Sequence, residues 1–150
     1  MTQRIAQKEV YTLQPALAKN LIGLAQAASA NIDHKLVHLI KLRASQINGC
    51  GFCQHMHLAE ARKDGETQTR LDLLAVWREM PIFSAKEKAV LGWTEALTLI
   101  NSQAVRDEVY QDLAAEFNPE EIINLTCIIV AINSWNRIAV GFNFLPNLMD

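Results

Sequence analysis

Two cysteines and a histidine share one stripe of a helix, and no other residues in this chain are so well placed for chemistry. Cys50-Gly51-Phe52-Cys53 is a C-x-x-C pair, and His57 follows four residues after the second thiol. At about 100° per residue, with Cys50 at zero, Cys53 falls at about 300° and His57 at about 340°. Residues three apart on a helix have Cβ atoms about 5–6 Å apart, so a Cys50–Cys53 disulfide needs only modest adjustment. His57 is within reach of the Cys53 thiol, directly or through one water. The thiolate is the nucleophile in such chemistry, and both a helix N-terminus and a neighbouring imidazole favour it. The other thiol then resolves what forms on the first. His55, at about 140° on the same wheel, faces away and is a poor partner. Phe52, Met56 and Ala59 lie on that opposite side and read as packing residues.

Two other uses of the same residues stay open. Cys50, Cys53 and His57 supply three metal ligands on one face, and His38 from the preceding helix is a candidate fourth for structural zinc. Two inert buried thiols are the plainer alternative. The third cysteine, Cys127, sits among Leu125, Ile128 and Ile129 and reads as an unreactive core thiol.

The elements that must hold these side chains are helices. An Ala/Leu-rich stretch covers 15–30. Asp33 caps a helix running toward Asn48, and Asn48-Gly49 is a turn. The cysteine helix then runs from Cys50 to about Asp64, with Gly65 placed to end it. Thr67 caps a short helix through Leu74, and Pro81 interrupts. Ser84 and Glu87 form a capping box for a helix to about Asn101. Further helices are expected over 105–116 and, from Asn118-Pro119, to about Phe142. No run alternates apolar and polar residues, so the expectation is an all-α domain of about six to eight helices.

The chain has 150 residues, half of them hydrophobic, with 6 glycines and 4 prolines. That suits one folded domain spanning 1–150 and excludes disordered or collagen-like classes. Net charge is −2 without a basic cluster, which argues against a nucleic-acid partner. The first residues contain no apolar h-region, and no stretch reaches about 18 uninterrupted apolar residues, so a cytoplasmic chain without a membrane span is expected. The last helix is apolar on nearly every side, from Ile122 to Val140, which predicts burial all round and subunit contact along part of it. Asn133, Asn136 and Arg137 interrupt it; hydrogen bonding to neighbouring helices is the favoured use, lining a pocket the other.

The run from His38 to His57, HLIKLRASQINGCGFCQHMH, resembles the core of the alkylhydroperoxidase AhpD-like branch of the carboxymuconolactone decarboxylase family. Trp77-Arg78-Glu79, WTEALT at 93–98 and INSWNR at 132–137 resemble it too, so the likeness covers the chain from about Leu13 to Phe142. The resemblance implies an all-helical fold assembled into homo-oligomers, commonly trimers or hexamers. It also implies reduction of organic hydroperoxides at the expense of an external thiol reductant, with no cofactor and no metal. By position, Cys53 would be peroxidatic, Cys50 resolving and His57 the relay base. A glutamate in the family motif, twelve residues before the first cysteine, completes the proton relay; His38 stands there in this chain. Imidazole can pass protons near neutral pH, so His38 is a candidate relay residue, as is a hydrogen-bonded core role.

Lys41 and Ser45 share the face of His38; they are candidates to border the expected site, with solvent-facing roles the other reading. Glu95 is a candidate replacement carboxylate, with an inter-helix or intersubunit ion pair the more ordinary use. Trp77-Arg78-Glu79 reads as shaping a turn. The competing functions are a disulfide reductase, a redox-sensing or zinc-holding helical scaffold, and a lactone decarboxylase, the last disfavoured by the C-x-x-C pair.

Overall fold

A computed structural model of the chain describes residues 4–148. Eight α-helices and one short 3₁₀ turn make up its regular structure, and no strand occurs among the described residues. In order they are α1 (Gln7–Leu13), α2 (Pro15–Ser29), α3 (His34–Ile47), α4 (Gly51–Lys63), α5 (Gln68–Leu73), α6 (Ala85–Thr98), α7 (Asp107–Glu116) and α8 (Pro119–Gly141); the 3₁₀ turn covers Leu74–Val76. The all-α expectation and its helix number both hold.

Local chemistry fixes most of the boundaries. Asp33 accepts from the Lys35 N–H at the start of α3, and Thr67 accepts from the Arg70 N–H at the start of α5. Ser84 with Glu87 and Asn118 with Glu121 form reciprocal capping boxes for α6 and α8, each satisfying two otherwise orphaned N–H groups. Gly49 and Gly65 take positive φ at the two ends of the cysteine helix, a conformation open to glycine without steric cost. Three expectations shift. Helix α1 precedes the predicted first element, and Pro15, at the first position of α2, divides the two. Helix α6 ends at Thr98 rather than near Asn101. Helix α4 begins at Gly51, so Cys50 is its N-cap.

Helix α8 runs through the centre, packing on α2, α3, α4, α6 and α7. The main core joins Ile40, Leu113, Leu125, Ile128 and Ile129 from three helices. A second cluster around Leu39, Leu74 and Leu91 lies under α5 and the Trp77 turn. A third gathers Val10, Cys50, Cys53, Ala139 and Phe144. By length and composition α8 would suffice to cross a membrane, yet within this fold it serves as the core helix. Its burial is one-sided rather than complete: Ile123, Val130 and Val140 are exposed. Its polar interruptions are used inside the chain. Fully buried Asn136 donates to Ser45 Oγ at 3.0 Å and accepts from Asn48 Nδ2 at 2.9 Å. Asn133 also accepts from Asn48 and donates to Thr98. These bonds tie α8 to the turn immediately before Cys50. Arg137 is exposed and donates back to Asn133.

Candidate active site

The Cys50 and Cys53 sulfurs are joined in a disulfide, with Cα atoms 5.3 Å apart. Capping makes this local arrangement. Cys50 has extended backbone, and its Sγ accepts the Cys53 N–H at 3.2 Å. That places both sulfurs at the positive end of α4. Both residues are buried, at 1% and 2% exposure, in the cluster shared with Val10, Ala139 and Phe144. Ser45, expected at the border of the site, is fully buried and holds Asn136 instead.

Cys53 and His57 line one cavity of about 420 Å³. Its walls are mostly apolar, from Tyr11, Ile22, Met56, Ile132, Trp135 and Phe144; Lys41 and Glu60 supply the charge. Edge-on aromatic contacts, Tyr11 with Trp135 at 6.0 Å and Phe52 with Phe144 at 5.7 Å, fix part of that wall. Met56 and Ala59, expected to pack, are exposed. Met56 faces the cavity because α4 lies at the edge of the fold, with only its Cys53–His57–Ala61 stripe buried. His55 is exposed, away from the thiols.

His57 is buried, and its Nδ1 pairs with Glu60 Oε2 at 2.8 Å. Glu60 titrates below the ordinary carboxylate range. The His57 hydrogen bond is the main cause; burial opposes it, and the charges of His57, Lys41 and His38 reinforce it. An ionised carboxylate can only accept, so Nδ1 carries the imidazole proton. In the neutral ring Nε2 is then the free base. Sequence reading passed over Glu60, although it lies three residues beyond His57 and so on the same stripe. The carboxylate of this site thus lies on α4 itself, neither at the upstream motif position nor at Glu95.

His38 occupies that upstream position, but it does not line the cavity. It is buried on α3, and its Nε2 pairs with Asp64 Oδ2 at 2.7 Å, while Nδ1 has no hydrogen-bond partner among the described residues. Lys41, one turn along the same helix, does reach the cavity. Glu95 lies outside it, in a buried knot with Arg43 Nε at 2.7 Å, Trp77 Nε1 at 2.8 Å and Arg78 Nη1 at 2.6 Å. The ion-pair reading of Glu95 therefore holds. Cys127 is a free thiol, partly rather than fully buried. No group of three or more His, Cys, Asp or Glu side chains converges as a metal site among the described residues, and here both thiols of the imagined zinc set are bonded to each other.

Comparison with known proteins assigns this geometry to a family. The family model for carboxymuconolactone decarboxylases matches residues 15–96, more than half of the chain and all of the C-x-x-C region. The chain belongs to the carboxymuconolactone decarboxylase family, in its AhpD-like branch. An uncharacterised Bacillus subtilis protein, YdfG, is 39% identical over 142 residues, covering 94% of this chain and 95% of its own. Alkyl hydroperoxide reductase AhpD of Maricaulis maris is 39% identical over 64 residues, covering 43% of this chain and 34% of its own. An Agrobacterium tumefaciens structure superposes with a TM-score of 0.90 at 41% identity, covering 98% of this chain and 99% of its own; it is a protein of unknown function suggested to be the antioxidant defence protein AhpD. The debrominase Bmp8, at 19% identity and a TM-score of 0.81, covers 91% of this chain and 74% of its own and shares the fold. Family membership supports an enzyme, and the family fold serves more than one chemistry.

Proposed function

We propose that this protein is a thiol-dependent peroxidase that reduces organic hydroperoxides through the Cys50–Cys53 pair. The observation that carries the reading is the single cavity wall on which Cys53, His57 and Glu60 meet. In the reduced protein, His57 Nε2 takes the Cys53 proton, and the thiolate attacks the terminal peroxide oxygen. The O–O bond breaks, Cys53 becomes a sulfenic acid, and the alkoxide leaves as an alcohol after taking the proton from His57. Cys50 then attacks the sulfenic sulfur, releasing water and forming the disulfide seen here. An external thiol system returns two electrons and two protons. The oxidative steps are written with the protein's own side chains, and only the reducing thiols come from outside.

The apolar walls suit an organic substituent on the peroxide, and Lys41 supplies a cation to the cavity that Cys53 lines. His38 contributes as a charge near Glu60 rather than as a direct contact to sulfur. A reducing, cytoplasmic setting supplies the thiols that such a cycle consumes. The exposed Ile123 and Val130 on α8 offer an apolar surface for assembly into a homo-oligomer; its order, a trimer or hexamer, is what the family resemblance implies.

The test is a peroxide challenge of fully reduced protein without oxygen, quenched by alkylation and mapped by mass spectrometry. Fast Cys50–Cys53 disulfide formation on adding cumene hydroperoxide is expected, together with a sulfenic acid on Cys53 when Cys50 is replaced by serine. Thiols that stay reduced while the disulfide exchanges readily with dithiothreitol would make the protein a disulfide reductase instead.

A further inference from the structure

The disulfide lies between two cavities, and a different cysteine lines each. The 420 Å³ cavity described above is lined by Cys53 and not by Cys50. A second, of about 680 Å³, is lined by Cys50 and not by Cys53, with Arg4, Gly51 and Val140 around it. Phe52, Ala139 and Phe144 line both and so form the partition. Phe144 is buried and holds the partition through edge contacts to Phe52 and Tyr11.

A thiolate breaks a disulfide by attacking one sulfur along the S–S axis and expelling the other, so the side of approach decides which sulfur leaves. We propose that the Cys50 cavity is the entry site of a dithiol reductant, while the hydroperoxide meets Cys53 in the cavity on the opposite side. This rests on the redox-active reading of the pair. The reductant's first thiolate bonds to Cys50 Sγ, the Cys50–Cys53 bond breaks, and Cys53 leaves as a thiolate into the cavity that holds His57 and Lys41. The reductant's second thiol then loses its proton and attacks the first reductant sulfur, which frees Cys50. The products are the protein dithiol and the reductant's disulfide. Two electrons and two protons have moved.

Three features favour this direction. The leaving sulfur belongs to the cysteine that shares its cavity with a proton carrier, His57, and a cation, Lys41, and a stabilised thiolate leaves faster. The approaching thiolate meets the positive end of the 13-residue helix α4 and Arg4 at the rim. Arg4 uses Nη1 on the Gly141 carbonyl at 2.8 Å, which holds it in place. A dithiol is indicated over a monothiol because Cys53 remains three residues from the mixed disulfide, ready to reverse the step. A second thiol on the same molecule competes with it intramolecularly.

The experiment separates the two half-reactions. Val140, 50% exposed, and Ile22, 46% exposed, each line one cavity and tolerate enlargement without disturbing the core. Reduction of the disulfide by dithiothreitol and oxidation of the dithiol by cumene hydroperoxide are timed separately in Val140→Trp and Ile22→Trp. Blocking access to the attacked sulfur is expected to slow reduction at least about tenfold more in Val140→Trp than in Ile22→Trp, with the reverse order for oxidation. Gly51→Leu is a second block of the Cys50 cavity, since a Cβ there meets nothing within 4 Å. In the unmodified protein, rapid-quench mapping with 2-mercaptoethanol should find the first mixed disulfide on Cys50. A first mixed disulfide on Cys53, or reduction slowed chiefly by Ile22→Trp, overturns the assignment. Failure of the disulfide to exchange with any thiol overturns the redox reading beneath it.

Discussion

Glu60 Oε2 stands 2.8 Å from His57 Nδ1, one helical turn beyond it on α4 and on the wall that carries Cys53. The carboxylate fixes which ring nitrogen holds the proton, and so which one is left to serve the thiol. In Glu60→Gln the amide either donates or accepts, and the tautomer is no longer set. Oxidation of Cys53 by cumene hydroperoxide is expected to slow about tenfold, within what one oriented acid–base group contributes. Glu60→Asp should recover part of the rate. The pH profile of Cys53 alkylation should change as well. An unchanged profile in a variant of equal thermal stability would reduce Glu60 to a surface partner.

A second carboxylate governs acid stability. Burial pushes Glu95 up, but hydrogen bonds from Trp77, Arg43 and Arg78 outweigh it, and the group titrates below the ordinary carboxylate range. Its contribution is therefore complete above the unfolded value of about 4.3 and drains away as pH falls through the lower folded value. Glu95→Gln should cost about 2–3 kcal/mol at pH 7, because Arg43 is left as a partly buried cation without its counter-ion. The gap in melting temperature between the two proteins should narrow below about pH 4. A gap that persists at low pH would place the loss in packing instead.

Much of this architecture is legible in single residues. The capping residues Asp33, Thr67, Ser84 and Asn118 each start the helix they announce, because a cap is a local hydrogen bond that needs no tertiary information. The Cys50–Cys53–His57 stripe is likewise local, and the structure sets Cys53 and His57 on one cavity wall. What the sequence conceals is set by packing between distant segments. Tyr11 from α1 and Phe144 beyond α8 close over the thiols although more than 130 residues separate them. The exposure of Met56 follows from where α4 lies in the fold, which its own periodicity does not encode. Cys50 becomes a cap rather than a helical residue because the Asn48-Gly49 turn ends with Gly49 at positive φ.

Asn136 links the core to the redox pair. It is fully buried and bridges Ser45 and Asn48, the residues leading into the Cys50 turn. Asn136→Leu removes both bonds and leaves the buried Ser45 hydroxyl and the half-buried Asn48 amide with fewer partners. A loss of about 2 kcal/mol is expected in chemical denaturation. The dithiol–disulfide potential should also move, since the loop that positions Cys50 is released. Equal stability and an unchanged potential would show that Asn48 and Ser45 re-pair without it.

His38 occupies the place where the family motif has a glutamate, and restoring that residue is the direct test of whether the position matters here. The structure gives a definite expectation. His38 Nε2 is 2.7 Å from Asp64 Oδ2, so a glutamate at this buried position would add a third carboxylate to Asp64 and Glu60. Like charges so close disfavour joint ionisation, and one carboxyl would be raised above its unfolded value. Such a group destabilises the fold at neutral pH, and the penalty shrinks as pH falls and the raised carboxyl takes up its proton. His38→Glu should therefore melt lower than the parent at pH 7, with a difference of about 1–2 kcal/mol that narrows as pH falls and closes only near the unfolded glutamate value of about 4.3. Peroxide turnover should not rise, because Glu60 already supplies the carboxylate that His57 uses. A faster enzyme in His38→Glu would show that the relay runs through position 38 after all, and that the His57–Glu60 pair is secondary to it.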